Sequence, residues 1–223
     1  MDTTHQALAR AQWQTILFAE RPSRVELLKL KSAWPLSTLT IRVHRNHAFE
    51  HVAAVTEPWF AWWGKSVSFV YSDYDDSLSF AFEDGAKVQL ELLWLDLSRY
   101  SGRFESAALV EWLKGRLTAL RAHTSAPIIL VPTDATDDQQ AALQKAGRDL
   151  PGVRVGDPRP VMEKLGARFF DERAAKFSGT RLSESASVLL ARELACRWIP
   201  ATVTQRIKAI AIDLDVDVET DPF

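Results

Sequence analysis

Val88-Gln89-Leu90-Glu91-Leu92-Leu93-Trp94-Leu95 is the stretch on which the reading of the fold turns. In a strand, successive side chains point to opposite faces. From Leu92 onward apolar residues fall on both alternations, so this strand is apolar on both faces. Strands of that kind are central to sheets covered on both sides, which are usually parallel. The run ends in Asp96-Leu97-Ser98-Arg99-Tyr100, where polar groups return.

The flanking sequence repeats the alternation of strand and helix. Leu39–Val43 and Val67–Val70 read as strands before it, with Pro127–Pro132 and the weaker Val153–Val155 after it. Ala48, Val52, Val55 and Phe60 recur near helical spacing and stop around Gly64. Leu109, Trp112, Leu113, Leu117 and Leu120 mark an amphipathic helix over Ser106–Arg121. Asp137 or Asp138 can cap the next helix, which ends near Gly147, and a last one runs from Ser183 to about Trp198 before Pro200. Upstream, one or two helices break at Arg21-Pro22-Ser23, because proline cannot continue a helix interior. Ser23 with Glu26 forms a capping box there. Trp59, Trp62 and Trp63, with Phe60 among them, are read as packing between helix and sheet.

The expected fold is α/β: a doubly wound, mostly parallel sheet with helices on both faces, a three-layer sandwich. Residues 1–35 form a helical segment and 36–200 the α/β domain. Residues 201–223 form a linker with a further strand pattern, Ile207–Ile212, running into Asp213-Leu214-Asp215. That tail is read as the truncated or degenerate start of a second domain.

Composition excludes several classes of function. The net charge is -2 with both signs interspersed, which gives no electrostatic case for nucleic acid or an anionic membrane. Cys196 is the single cysteine, so no intramolecular disulfide forms and a reducing compartment is expected. Met1-Asp2-Thr3-Thr4-His5 lacks the pattern of a secretory leader, and no apolar run approaches the roughly 20 residues of a membrane helix. The expectation is a cytoplasmic protein.

In open α/β sheets ligands bind beyond the carboxyl ends of the strands. The candidate segments are therefore His44–His47, Ser72–Asp76, Asp96–Tyr100 and Thr133–Asp137, which should converge on one rim. A pocket of His44, Arg45, Asn46, His47, Asp73, Asp96 and Arg99 would suit a phosphate or carboxylate, held by Arg45 and a helix N-terminus. The alternative is a solvated loop surface. His47 and His51, four apart, could share a helix face and meet a metal with Asp73 or Asp96. Paired histidines near a helix start commonly ligate nothing, and no metal ligand is assigned. Asp213, Asp215 and Asp217 do not open a calcium loop, since Val218 stands where glycine is needed.

Several segments, in order, resemble the FkbH-like family. They are the Leu93-Trp94-Leu95-Asp96-Leu97-Ser98-Arg99-Tyr100 strand end, the turn Tyr71–Asp76, Phe170–Arg173, Phe177-Ser178, Leu190-Ala191, and Ile207–Asp215. The resemblance implies an SGNH-hydrolase-like domain followed by a haloacid-dehalogenase (HAD) domain resembling phosphatases. It also implies a link to loading a glyceryl unit onto an acyl carrier protein for polyketide assembly.

An active SGNH enzyme has a serine after its first strand and an Asp-x-x-His near its end. Here His44-Arg45-Asn46-His47 holds no serine. Ser178 would stand in the acid position and Arg181 in the base position, and arginine stays protonated below a pH of about 12. Asp213 and Asp215 have the form of HAD motif one, the nucleophile and acid/base that work with Mg²⁺, although Val216 and Asp217 depart from the family pattern.

The expected function is a non-catalytic recognition or accessory module, needing no cofactor in this chain, or Mg²⁺ if a complete HAD domain is present. Its partner would be an acyl carrier protein or a phosphorylated or carboxylated small molecule. The alternatives are an SGNH-type esterase or acyltransferase with a rearranged site, and a Mg²⁺-dependent HAD phosphatase or phosphotransferase that needs further sequence.

Overall fold

The structure, a computed structural model, describes residues 3–80 and 87–203. Five parallel strands form one sheet: β1 (Ser37–Arg45), β2 (Lys65–Tyr74), β3 (Leu90–Asp96), β4 (Ile128–Thr133) and β5 (Val153–Val155). Their order is β2-β1-β3-β4-β5. As its two-sided apolar pattern requires, β3 is the middle strand and every residue of it is buried. β2 lies at the sheet's end, where exposed and half-buried residues mix.

The helices are α1 (Thr3–Leu17), α2 (Arg24–Lys29), α3 (Glu50–Trp62), α4 (Ser106–His123), α5 (Asp137–Asp149), α6 (Arg159–Leu165), α7 (Glu172–Ser178) and α8 (Glu184–Glu193), with a short turn of helix at Pro200–Val203. Ile41, Val43, Leu92, Trp94 and Ile129 pack in one core with apolar residues of α1, α2, α3, α6 and α8. Leu93, Leu95, Ile128 and Leu130 join a second core with residues of α4 and α5. Helices thus cover both faces, and the fold is a three-layer α/β sandwich. Trp59 and Phe60 are fully buried in the first core, with Trp62 and Trp63 packed against it, as the tryptophan cluster predicts.

Polar contacts add register to the apolar pattern. Arg42 of β1 is the direct neighbour of Glu91 of β3, and its Nη1 donates to Glu91 Oε1 at 3.1 Å. His44 Nε2 lies 2.9 Å from Glu91 Oε2. A one-residue slip of β1 against β3 would turn Arg42 and His44 away from Glu91, so the cluster opposes slippage. His44 is therefore committed within the sheet rather than to a pocket at its edge.

The crossover from β2 to β3 begins with a tight turn. The Asp75 carboxylate accepts hydrogen bonds from the backbone and hydroxyl of both Ser77 and Ser79. Partial burial pushes its pKa up, but these bonds outweigh it and hold the group at about 2. The turn delivers Leu78 and Phe80 into the second core.

Ser23 caps α2, accepting from the Glu26 amide. At α5 the cap is Thr136, in a capping box with Gln139, and not Asp137 or Asp138. Those two occupy the first turn, where negative charge suits the helix dipole. The long last helix predicted from Ser183 to Trp198 loosens into a π turn at Leu194–Trp198. α6 and α7, seven residues each, were not foreseen, being too short to show a period.

Candidate functional site

A 2-1-3-4-5 strand order places the topological switch point between β1 and β3, where chain connections depart in opposite directions. All strands being parallel, the turns after β1, β2, β3 and β4 leave from the same edge. The backbone amide of Asp75 donates to Arg45 O at 3.0 Å, which ties the β2 turn to the end of β1.

Asn46 sits in the crevice itself, 1% exposed. Its side-chain amide pairs with the backbone of Asp96, donating to Asp96 O at 3.0 Å and accepting from Asp96 N at 2.8 Å. The amide continues the β1–β3 ladder by one rung and closes the crevice floor.

Arg45, expected to hold an anion, is engaged by internal partners in the structure. Its guanidinium pairs with Glu50 in the first turn of α3 and donates through Nε to Ser72 O. It also packs on the rings of Tyr71 and Tyr74, at 4.5 and 4.4 Å from their centroids. Glu50 is correspondingly held below the ordinary carboxylate range: burial raises its pKa, and hydrogen bonds from Arg45 and the helix start more than offset this.

His47 is 2% exposed and stacks on Trp94 at 5.7 Å between ring centroids. Its Nδ1 lies 2.9 Å from Thr180 Oγ1, and Nε2 has no partner among the described residues. Burial drives the imidazole pKa down to about 4; the Asp96 charge opposes this, and Arg99 and Arg181 reinforce it. His47 precedes α3 instead of lying on it, so it shares no helix face with His51. Among the described residues no group of three or more His, Cys, Asp or Glu side chains is placed to hold a metal ion.

The strongest cluster joins β3, β4 and the segment before α8. Arg181 donates to Asp96 twice, Nε to Oδ2 at 3.0 Å and Nη2 to Oδ1 at 2.8 Å. Nη2 also donates to Ser98 Oγ at 2.7 Å and to Asp134 Oδ2 at 2.8 Å, while Nη1 reaches Glu172 at 3.5 Å. The guanidinium lies 4.3 Å from the Phe170 ring centroid. Ser98 closes the set by donating its hydroxyl and amide to Asp96 Oδ1, at 2.7 and 3.0 Å. Burial raises the Asp96 pKa, but the Arg181 and Ser98 hydrogen bonds outweigh it and hold the carboxyl below its ordinary range.

Ser178, placed at the degenerate acid position, donates to Thr180 O at 2.8 Å; the carboxylate that orients Arg181 is Asp96. Arg99 pairs with Asp76 at 3.2 Å, both half-exposed, and Asp73 is exposed at the end of β2. Asp213 and Asp215 lie outside the described residues. Sequence reasoning missed Glu50, Thr180 and Asp134 as partners. Asp134 alone carried a signal, falling within the segment after β4.

No protein-family model and no curated protein matches the sequence. The structure is similar to a crystal structure of the N-terminal part of the protein BF1531 from Bacteroides fragilis, which contains a phosphatase domain and is complexed with Mg. The TM-score is 0.56 at 12% identity, over 82% of this chain and 55% of the other. The likeness is one of fold, and this chain spans little more than half the length of that crystallised N-terminal part. No helix among the described residues is long and apolar enough to cross a membrane.

Proposed function

We propose that this chain is the SGNH-like module of an FkbH-like protein and serves in recognition rather than catalysis. It would position an acyl carrier protein, or a phosphorylated or carboxylated small molecule, for a Mg²⁺-dependent HAD-type domain. One observation supports the non-catalytic reading: Arg181, which the SGNH resemblance would put at the base position, is bound by Asp96 and Asp134. An arginine so held neither accepts a proton nor leaves Asp96 free to act. Ser98, the hydroxyl in that cluster, is hydrogen-bonded to a carboxylate and a guanidinium rather than to a histidine.

The fold likeness to a protein with a phosphatase domain favours a second reading, a Mg²⁺-dependent phosphatase. That chemistry would run through Asp213 and Asp215 and residues beyond them. The recognition reading is tested by titrating the ¹⁵N-labelled chain with phosphopantetheine-bearing acyl carrier protein. Saturable amide shifts at Asp73, Tyr74 and Arg99 are expected on the carboxyl edge. Shifts confined to other surfaces, or none, would reject it.

A further inference from the structure

At the carboxyl edge the arginines are matched by carboxylates: Arg45 by Glu50, Arg99 by Asp76, Arg181 by Asp96 and Asp134. A second cleft, of about 110 Å³, lies between the α1–α2 turn, the end of α6 and the start of α8. Arg21, Lys164 and Arg168 line it against one acid, Glu20. Lys164 donates to a neutral group, Glu20 O, at 3.1 Å. Arg21 and Arg168 have no carboxylate partner among the described residues. Three cations on one small cleft repel each other, and an anion between them would relieve that repulsion.

The rest of the lining is not polar surface. Leu165, Val188 and Leu189 are buried core residues whose side chains form an apolar wall. Ser185, in the first turn of the ten-residue α8, adds a hydroxyl where the helix dipole favours negative charge. Charged rim and apolar wall together fit a ligand with one anionic head and a short apolar arm. The volume limits it to a few carbons.

We propose that this cleft binds a small organic anion, a phosphate monoester or carboxylate on a short alkyl chain. The guanidinium groups of Arg21 and Arg168 take the head, Lys164 adds a point charge, and the alkyl arm lies on Leu165 and Leu189. The site is separate from the carboxyl edge and does not depend on the role proposed for that edge.

The test is a titration of the ¹⁵N-labelled full chain with propyl phosphate, with butyrate and with inorganic phosphate in parallel. Saturable shifts are expected at Arg21, Lys164, Arg168 and Ser185, tighter for propyl phosphate than for inorganic phosphate. Arg168→Glu and Arg21→Glu should each weaken binding about tenfold or more. Lys145→Glu, the same charge change on exposed α5 surface, should leave it unaltered. Because all these side chains are exposed, the variants should keep the wild-type spectrum elsewhere. A further arm uses vesicles bearing phosphatidate. Binding to vesicles without binding to propyl phosphate would overturn the proposal. So would an absence of saturable shifts, shifts that survive both charge reversals, or equal weakening by Lys145→Glu.

Discussion

Asp96 and Arg181, 85 residues apart in sequence, meet in a two-point ion pair with contacts of 2.8 and 3.0 Å at the end of the central strand. The pair ties β3 to the segment before α8, and Asp134 brings the end of β4 into the same contact. Removing Arg181 leaves the buried Asp96 carboxylate without its cation, whereas removing Asp96 leaves Arg181 paired with Asp134 and Glu172. Arg181→Leu should cost about 3 kcal/mol in denaturant unfolding, and Asp96→Asn less. The double variant should cost clearly less than the sum, because it removes both charges together. Additive losses would mean that the two side chains act independently.

The His47 imidazole gives the fold an acid weakness. Its folded pKa, about 4, lies below the ordinary 6.5, so below 6.5 the unfolded chain takes up a proton that the folded chain refuses. Stability should therefore fall as pH drops through that window, by about 3 kcal/mol in all. Asp96, whose carboxyl is held below its ordinary range, adds a loss at still lower pH. His47→Gln should flatten the slope between pH 6.5 and 4. An unchanged slope in urea unfolding across that window would show that His47 titrates normally.

Two glycines should respond to alanine in opposite directions. A Cβ at Gly156 would sit 3.0–3.2 Å from three atoms of the buried Trp198 ring, which has little room to move. Gly156→Ala should destabilise by about 1–3 kcal/mol. At Gly115, exposed inside α4, a Cβ meets nothing within 4 Å. Gly115→Ala should stabilise by about 0.5–1 kcal/mol through helix propensity. Thermal melts of the two variants moving the same way would contradict this packing.

The layers of the fold were legible because burial writes a period into sequence. β3 announced itself as central by being apolar on both faces, and the helix over Ser106–Arg121 by its leucine spacing. The polar cluster was legible only as a location. That Asp96 would stand at a strand end follows from the local run, but its partner follows from how α8 returns to the sheet. Arg45 shows the limit most clearly: its residue type suggests an anion site, yet Glu50, five positions on, satisfies it within its own chain. Spacing alone does not separate a cation awaiting a ligand from one already paired.

The account rests on Asp96, Ser98 and Arg181 at the carboxyl edge being held in internal ion pairs and hydrogen bonds. The most direct measurement is turnover by the full chain of p-nitrophenyl butyrate, and of p-nitrophenyl phosphate with Mg²⁺, near neutral pH. The account predicts rates equal to buffer for wild type, Ser98→Ala and Asp96→Asn alike, with Asp213→Asn changing nothing. Robust hydrolysis that one of these substitutions abolishes would contradict it.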